Sequence, residues 1–341
     1  MKIVVDAMGG DKAPMEIVKG SLLAVKKFNT DVILVGSGED ILRCIQSMGM
    51  TNLPKGIEIA HTSEIITMED DPRSVVKGKK DSSMSVALGL LKDSVGDALV
   101  SAGSTGALLS GATLIVKRIK GIRRAALAPL LPSDNGGCIV IDSGANTDCT
   151  PEYLIQFAYM GASYAKHLLG KSDPKVALLN IGEEESKGLQ LQRDVYAYLN
   201  SAKNEGKINF IGNIEARDTL TGKADVIVCD GFSGNIMLKS LEGVGIFIIK
   251  ELKTAFKKSI LTRLAYVLVK KNIGQLRRKL DYTEVGGSIL LGVSKPVIKA
   301  HGSSDAHAIC NAIGQAIRLA SSGMIEEISA HIEDMTFSKE K

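Results

Sequence analysis

Short apolar runs rich in β-branched residues recur along the chain and alternate with stretches of helical periodicity. No other feature limits the possible folds as strongly. Uninterrupted apolar runs are typical of parallel strands buried on both faces, and parallel strands need helical crossovers between them. The sequence therefore predicts an α/β protein with a mostly parallel sheet. The predicted strands lie at residues 3–5, 32–35, 57–60, 98–100, 138–141, 176–179, 208–211, 226–229 and 297–299.

Helices are indicated most clearly after Pro151, after Glu183 and after Ser303, where apolar residues recur at steps of three and four. The chain of 341 residues is long enough for one large domain or two smaller ones, and no repeat, low-complexity tract or linker divides it. We expect a single domain over residues 1–335, built as two lobes of one unit rather than as separate domains on a linker.

Composition and motif content argue against several functional classes. The apolar runs are much shorter than the ~18 residues that cross a bilayer, and a strand-like segment follows Lys2 directly, so neither a spanning helix nor a secretion signal is expected. Five widely spaced cysteines without a C-x-x-C pair indicate a reducing cytoplasm and no metal site. Seven phenylalanines, seven tyrosines and no tryptophan offer little for stacking single-stranded nucleic acid. Neither a P-loop nor a dinucleotide fingerprint occurs, so no cofactor is expected.

Positive charge is concentrated in one segment. Residues 250–279 contain ten Lys and Arg side chains against the single acid Glu251, although the whole chain has a net charge of only +4. Apolar side chains at helical spacing make residues 245–280 a predicted basic amphipathic segment of one or two helices. Core or dimer packing competes with two surface roles, contact with an anionic membrane and docking of an acidic protein. The residues assigned to such contact are Leu261, Arg263, Leu264, Ala265, Leu268, Lys270 and Lys271.

Glycine together with Asp, Asn or Ser follows five of the predicted strands. Glycine allows sharp turns and close approach to a ligand, the polar side chains supply hydrogen bonds, and N–H groups at the start of the next helix attract anions. Because such loops gather at the carboxyl edge of a parallel sheet, five of them favour a shared anion site over ordinary tight turns. The candidate binding residues are Asp6, Gly9, Gly10, Asp11, Ser101, Gly103, Thr105, Gly106, Asn146, Asn180, Ser233 and Gly234.

Two further candidates for anion binding are Lys79 and His301. Lys79 precedes Ser82 and Ser83, which have the character of helix caps, so a cation and unsatisfied N–H groups would converge there. A surface lysine is the alternative. His301 follows the last predicted strand and precedes a glycine, and a structural or solvent-facing histidine is its alternative.

Seven motifs occur in order over nearly the whole chain. They are DAMGGD at 6–11, KKDSSM at 79–84, SAGSTGAL at 101–108, LLNIGEEESKG at 178–188, NFIGNIEARD at 209–218, DGFSGN at 230–235 and DYTEVGGSILLGV at 281–293. Together they resemble the bacterial phosphate acyltransferase family, PlsX. Two positions depart from the usual family pattern, since Ser104 stands where asparagine is usual and Ser143 where an apolar residue is usual. Local contacts at those two positions are expected to differ.

That resemblance implies transfer of a long acyl chain from acyl carrier protein to inorganic phosphate, which gives an acyl phosphate for phospholipid synthesis. It also implies a cytoplasmic homodimer that attaches loosely to the membrane surface. The implied fold is a Rossmann-like three-layer αβα sandwich similar to phosphotransacetylase and the isocitrate dehydrogenase group, with the amphipathic segment protruding. A short-chain phosphotransacetylase that uses coenzyme A and a non-catalytic membrane-binding scaffold are the alternatives.

Such a reaction needs no metal and no covalent intermediate, because hydrogen phosphate is itself a nucleophile and a thiol of pKa ~8.5 is a tolerable leaving group. Lys187 follows the strand that ends at Asn180 and is the leading candidate for neutralising the phosphate or the oxyanion. The alternative interpretation is that Lys187 is a solvent-exposed lysine on a helix. Asn235 is a candidate donor to the oxyanion. Asp230 is a candidate for orienting Lys187 or its loop, with a helix N-cap as the alternative.

Overall fold

The computed structural model describes residues 1–280 and 286–336. The first five residues of the motif at 281–293 therefore lie outside the described residues. Twelve strands occur in the described part of the chain, and all nine predicted strands are among them. The strands are β1 (Lys2–Asp6), β2 (Asp31–Gly36), β3 (Ile57–His61), β4 (Ala98–Ser101), β5 (Ala126–Ala128), β6 (Leu130–Leu131), β7 (Cys138–Ile141), β8 (Val176–Leu179), β9 (Phe210–Ile214), β10 (Val226–Val228), β11 (Gly287–Leu291) and β12 (Val297–Ala300).

These strands form two sheets. The larger has the order β3-β2-β1-β4-β12-β11-β5, and the smaller has the order β6-β7-β10-β8-β9. All pairings are parallel except those of β11 with β12, β11 with β5 and β6 with β7. The predicted mostly parallel sheet is thus present but divided in two, and the three strands that were not predicted are the short or antiparallel ones.

The chain passes from one sheet to the other at Pro129. This residue separates β5, at the edge of the larger sheet, from β6, at the edge of the smaller. Proline has no N–H to give to a ladder, so a strand tends to end there. Its carbonyl oxygen accepts a hydrogen bond from the N–H of Val140 in β7 at 3.1 Å, which ties the crossing point to the smaller sheet.

Helices cover both faces of each sheet. The helices predicted after Pro151 and Ser303 are α6 and α10, whereas the one predicted after Glu183 starts later, at Gln190. Gly188 has a φ of +86°, a left-handed conformation that interrupts a right-handed helix, so residues 183–188 form a loop. The helices are α1 (Met15–Phe28), α2 (Gly38–Ser47), α3 (Ser74–Lys77), α4 (Ser83–Lys92), α5 (Thr105–Gly111), α6 (Pro151–Leu169), α7 (Gln190–Asn204), α8 (Gly231–Lys257), α9 (Ile260–Leu280), α10 (Ala306–Ala320) and α11 (Met324–Ala330).

Strand alternation divides the buried side chains between the two faces of the sheets. Ile3 and Val5 belong to a central apolar cluster that also contains Ile139 and Phe157 of the other sheet's layer, whereas Val4 faces a separate outer cluster. One continuous core therefore connects the two sheets, and each sheet has a further cluster on its outer face. Both sheets are held in one body with their strand ends close together.

Helices α8 and α9 form a hairpin that projects from the smaller sheet. The first turns of α8 are packed into the body, where Met237 and Leu238 are buried, but apolar residues further along are exposed, such as Phe247 at 61%. On α9, Leu264 and Leu268 are 62% and 86% exposed. The rings of Phe256 and Tyr266 pack 5.4 Å apart and join the two helices. The amphipathic segment is therefore a pair of helices, and its apolar side chains named here lie outside the core.

By length and composition alone, α8 is long and apolar enough to span a membrane. Its N-terminal turns nevertheless pack against the smaller sheet. The exposed part, from Gly243 to Lys257, is about 15 residues long. At 1.5 Å per residue this is ~22 Å, less than the ~30 Å of a bilayer's apolar layer. The exposed part of α8 is therefore shorter than the apolar layer of a bilayer.

Candidate active site

A cavity of about 650 Å³ lies between the two sheets and takes residues from both. On the side of the larger sheet, the loops after β1, β4 and β12 contribute to it. On the side of the smaller sheet, the loop after β7 and the first turns of α8 do so. Of the predicted site residues, the cavity is lined by Gly10, Asp11, Gly103, Thr105, Asn235 and His301.

Asp6 organises the loops of the larger sheet from beneath the cavity. Its carboxylate is buried and accepts hydrogen bonds from the hydroxyls of Ser101 and Ser83, both at 2.6 Å. Burial raises the pKa of Asp6 above its ordinary value, and the Ser101 hydrogen bond opposes that rise. A Cβ on Gly9 would come within 2.6 Å of both the Asp6 carboxylate and the Gly103 N–H. Asp6, Gly9 and Ser101 therefore hold the loops in place without lining the cavity.

The loop after β4 reaches the cavity where the next helix begins, and the Gly103 N–H within it donates to the Ser101 hydroxyl at 3.1 Å. Gly103, Ser104 and Thr105 line it, and α5 begins at Thr105. The Ser104 hydroxyl caps that helix by accepting from the Ala107 N–H at 3.5 Å. Unsatisfied N–H groups at such a start favour an anion. Gly106 lies one residue further on and faces Pro72.

Asp142 has the corresponding role on the smaller sheet. Its two carboxylate oxygens accept from the N–H groups of Leu127, Ser143, Ala145 and Asn146 and from the Asn146 side-chain amide. The carboxylate is buried, which raises its pKa although these donors oppose the rise. Asn146 is thus engaged in fixing the loop. Next to it, Ser143 and Gly144 face the cavity.

Asp230 begins α8, which forms another wall. Its carboxylate accepts from the backbone N–H and the hydroxyl of Ser233, at 2.8 and 3.0 Å, as the helix N-cap. A Cβ on Gly234 would lie 1.9 Å from the Asp142 carbonyl oxygen, so α8 approaches the β7 loop as closely as only glycine allows. This approach leaves the Asn235 side chain against Gly144, at the edge of the cavity.

Five ionisable side chains meet in the cavity. Asp11, Lys299 and His301 come from the larger sheet, and Lys239 and Glu242 from α8. Lys239 pairs with Glu242 at 2.7 Å, whereas Lys299 is only 9% exposed. Burial lowers the pKa of Lys299 to about 8 and also lowers that of His301.

An apolar wall faces this polar group. It is formed by Ile65, Ile66 and Met68 from the loop after β3 and by further side chains from the crossing point and α8, namely Leu127, Pro129, Leu130, Leu131 and Leu238. Lys79 supports the loop by donating to the Ile65 carbonyl oxygen and by pairing with Asp70. The structure therefore gives Lys79 a partner outside the cavity lining.

Lys187 and Asn180 lie away from the cavity lining, on the loop after β8. Lys187 is exposed, and its carbonyl oxygen accepts a hydrogen bond from the Asn180 side-chain amide at 3.1 Å. Because β8 is parallel to β10, this loop stands at the same edge of the smaller sheet as Asp230. The structure places Lys187 at the same edge of the smaller sheet as Asp230 but not among the residues that line the cavity.

Several cavity residues were not predicted as site residues. Lys299 had a signal in the sequence, since it is the one charged residue in the apolar run Val297–Ala300. Ser104 and Ser143 had been noted only as departures from the family pattern. Lys239, Glu242 and the apolar wall had no signal, because their approach to the cavity depends on how the two sheets are placed.

The fold is that of the phosphotransacylases. A phosphotransacetylase from Streptococcus pyogenes superposes with a TM-score of 0.62 at 18% identity, covering 96% of this chain and 94% of that one. A branched-chain phosphotransacylase from Enterococcus faecalis gives 0.60 at 15% identity, covering 94% and 99%. At such low identity these two structures establish the fold alone. They confirm the predicted Rossmann-like class.

The fold and the cavity define an α/β protein with a site between its two sheets that is lined by both charged and apolar side chains. The chain belongs to the fatty acid synthesis protein family, whose model matches residues 1–327, and the predicted resemblance is confirmed. A phosphate acyltransferase from Thermoanaerobacterium thermosaccharolyticum is 46% identical over 98% of this chain and 97% of its own length. A phosphate acyltransferase from Clostridioides difficile is 44% identical over 97% and 96%.

Proposed function

We propose that this protein is a phosphate acyltransferase, which moves a long-chain acyl group from acyl carrier protein to inorganic phosphate and releases an acyl phosphate. The observation that carries the proposal is the composition of the cavity, whose lining combines the start of α5 and Lys239 with apolar side chains that include Leu131 and Leu238. An anion and an aliphatic chain need those two surfaces side by side. Relatives 44–46% identical and named phosphate acyltransferase support the same reaction.

The proposed mechanism relies on placement and charge. The N–H groups of Ser104 and Thr105 at the start of α5 and the Lys239 ammonium hold the phosphate dianion beside the thioester carbonyl. One phosphate oxygen attacks the carbonyl carbon, and the Asn235 amide donates to the oxyanion that forms. Collapse restores the carbonyl and releases the thiolate. Lys187 is proposed to neutralise charge on bound substrate from the neighbouring strand end, with Asp230 fixing the start of α8.

The exposed hairpin supports a second part of the proposed function, which is binding to a membrane or to a partner protein. We propose that α8 and α9 contact an anionic membrane through Leu261, Leu264, Ala265 and Leu268, with Arg263, Lys270 and Lys271 adding electrostatic attraction. Acidic acyl carrier protein is the other partner suited to this charge. A homodimer, as the family resemblance implies, is proposed and is tested by the mass of the purified protein in solution.

The experiment is phosphate-dependent consumption of a long-chain acyl carrier protein thioester, with acyl phosphate detected by mass spectrometry. We expect turnover without nucleotide and in the presence of EDTA. Acetyl-CoA serves as the competing substrate, because a short-chain phosphotransacetylase would prefer it. A scaffold without catalytic function would consume neither thioester. Loss of turnover in EDTA that a divalent metal restores would contradict the metal-free mechanism.

A further inference from the structure

Lys299 is an unusual residue for the interior of a parallel sheet. It lies in β12 between Ile298 and Ala300, which are both 0% exposed, and is itself 9% exposed. Its ammonium donates to the carbonyl oxygens of Ala102 and Ala300, and the side chain reaches the wall of the cavity. A lysine is rarely buried to this degree, because removing its charge from water is costly.

The charged groups around Lys299 come from three elements. Asp6 on β1 and Asp11 in the following loop attract its proton, whereas Lys239 on α8 repels it. His301 follows on the same strand end, with its Nδ1 2.8 Å from the Ser303 hydroxyl. Glu242 is held by Lys239. Burial outweighs the two carboxylates and lowers the pKa of Lys299 to about 8.

We propose that Lys299 is the proton shuttle of the acyl transfer, donating to the departing thiolate and then taking the proton that the attacking hydrogen phosphate carried. This inference rests on the proposed function. Lys239 is less suited, since its side chain is half-exposed and paired with Glu242. The Lys299 ammonium instead lies against the Ala102 and Ala300 carbonyl oxygens in a residue that lines the cavity, and its side chain is only 9% exposed.

The shuttle balances the reaction without an external acid or base. A phosphate oxygen forms a bond to the carbonyl carbon, and the C–S bond breaks with its electron pair on sulfur. The Lys299 ammonium protonates that sulfur and becomes a neutral amine. The acyl phosphate then gives its remaining O–H proton to the amine, because the acyl group makes that proton more acidic. The net change converts thioester and hydrogen phosphate dianion into acyl phosphate dianion and thiol.

Proton affinities support this transfer. An ordinary thiol has a pKa of ~8.5, so a nearby amine with a pKa of about 8 exchanges a proton with it at little energetic cost. The ammonium form is needed to protonate sulfur, so kcat should fall as the pH rises through the pKa of Lys299. The pH at which kcat falls depends on all the charged groups nearby, namely Asp6, Asp11, Glu242, Lys239 and His301.

The first experiment compares Lys299→Arg with Lys299→Met in the phosphate-dependent assay. Arginine keeps the positive charge but does not release its proton near neutral pH. We expect kcat of both variants to fall by about 10²–10⁴-fold, with the KM for phosphate changed only a few-fold in Lys299→Arg. The shuttle alone would be overturned if the wild type is active and the Lys299→Arg variant has a similar kcat that falls with rising pH in the same way. A wild type without phosphate-dependent turnover would overturn the proposed function and the shuttle together.

The second experiment does not require the buried site of Lys299 to accommodate the larger arginine side chain. Lys299→Ala is assayed with methylamine, ethylamine and their fluorinated analogues, which differ in basicity. We expect the added amines to restore part of kcat, to an extent that follows amine pKa, and Lys239→Ala to show no such dependence. Circular dichroism checks that each variant is folded. A folded Lys299→Ala that no amine rescues would show that Lys299 does not carry the proton.

Discussion

The Lys79 ammonium lies 2.7 Å from Oδ2 of Asp70 and ties down the loop that forms one apolar wall of the cavity. The same nitrogen donates to the Ile65 carbonyl oxygen at 2.9 Å, and Asp70 also accepts from the N–H and hydroxyl of Thr67. These contacts lower the pKa of Asp70 to about 2, with the Lys79 hydrogen bond as the main cause. The apolar wall formed by the loop after β3 is therefore held in place by the Lys79–Asp70 ion pair, which lies outside the cavity lining.

Replacing Lys79 with alanine should loosen the wall and raise the KM for the acyl thioester by about fivefold, with little effect on the KM for phosphate. Because the pKa of Asp70 is depressed, the pair is complete above its ordinary pKa and is lost only as the pH falls toward 2. The effect should accordingly be constant between pH 6 and pH 8. Steady-state kinetics measure it, with Lys80→Ala as the control. A selective rise in the KM for phosphate would support direct anion binding by Lys79 instead.

Gly234→Ala should destabilise the protein by about 1–3 kcal/mol or more, because the new Cβ would overlap the Asp142 carbonyl oxygen. Gly243→Ala on the same helix is the matched control, since a Cβ there meets nothing within 4 Å. Thermal denaturation of the two variants measures the difference. Equal melting temperatures would show that α8 can move away from the β7 loop without cost.

Lys187→Ala should lower kcat by about 10–10³-fold if Lys187 neutralises charge on the substrate from the β8 loop. Lys223→Ala is a suitable control, because Lys223 pairs with Glu183 on the same loop and with Asp218. The measurement is turnover at saturating phosphate. Normal kinetics in a folded Lys187→Ala variant would leave Lys187 as an exposed loop residue without a catalytic role.

Leu264→Glu should move the protein from the pellet to the supernatant in sedimentation with anionic liposomes, because it removes apolar area and adds repulsion. Burial of one leucine is worth only ~1.5–3 kcal/mol, so attachment should be reversible, and high salt should weaken it in the wild type. Leu23→Glu, at a leucine 48% exposed on α1, is the control. Turnover of soluble substrate should change little. Joint loss of dimer and activity in Leu264→Glu would indicate an interface between subunits.

The parallel strands were predictable because each is buried on both faces and so appears as an apolar run. Strands β5, β6 and β11 were not, because β5 and β6 are only three and two residues long and the pairing of β11 with β5 joins residues far apart in sequence. The N-cap alternative for Asp230 marked the true start of α8, whereas the amphipathic segment was predicted to begin only at residue 245. The register of α8 with the β7 loop requires Gly234, and the further glycines in α8 interrupt the apolar periodicity that marks the rest of the hairpin.

The candidate site was predictable where a strand end and a glycine loop coincide, as at Gly10 and Gly103. It was not predictable where one layer approaches another, as Lys239 does from α8. For Asp6 and Asp142, the sequence shows an acid after a strand but not its direction. Both carboxylates turn inward to bind hydroxyls or backbone N–H groups, so loop geometry and not ligand contact accounts for them.

Helix α8 lines the cavity with its first turns and forms half of the exposed hairpin with its last turns. Because the helix is continuous, the distance between these two parts is fixed. From Asn235 at the cavity to Phe247 on the outer surface the helix rises about 18 Å. Under the proposed function, α8 joins the residues beside the reacting carbonyl to the apolar side of the hairpin. One rigid helix therefore spans the distance between the site of acyl transfer and the surface that is proposed to meet the membrane.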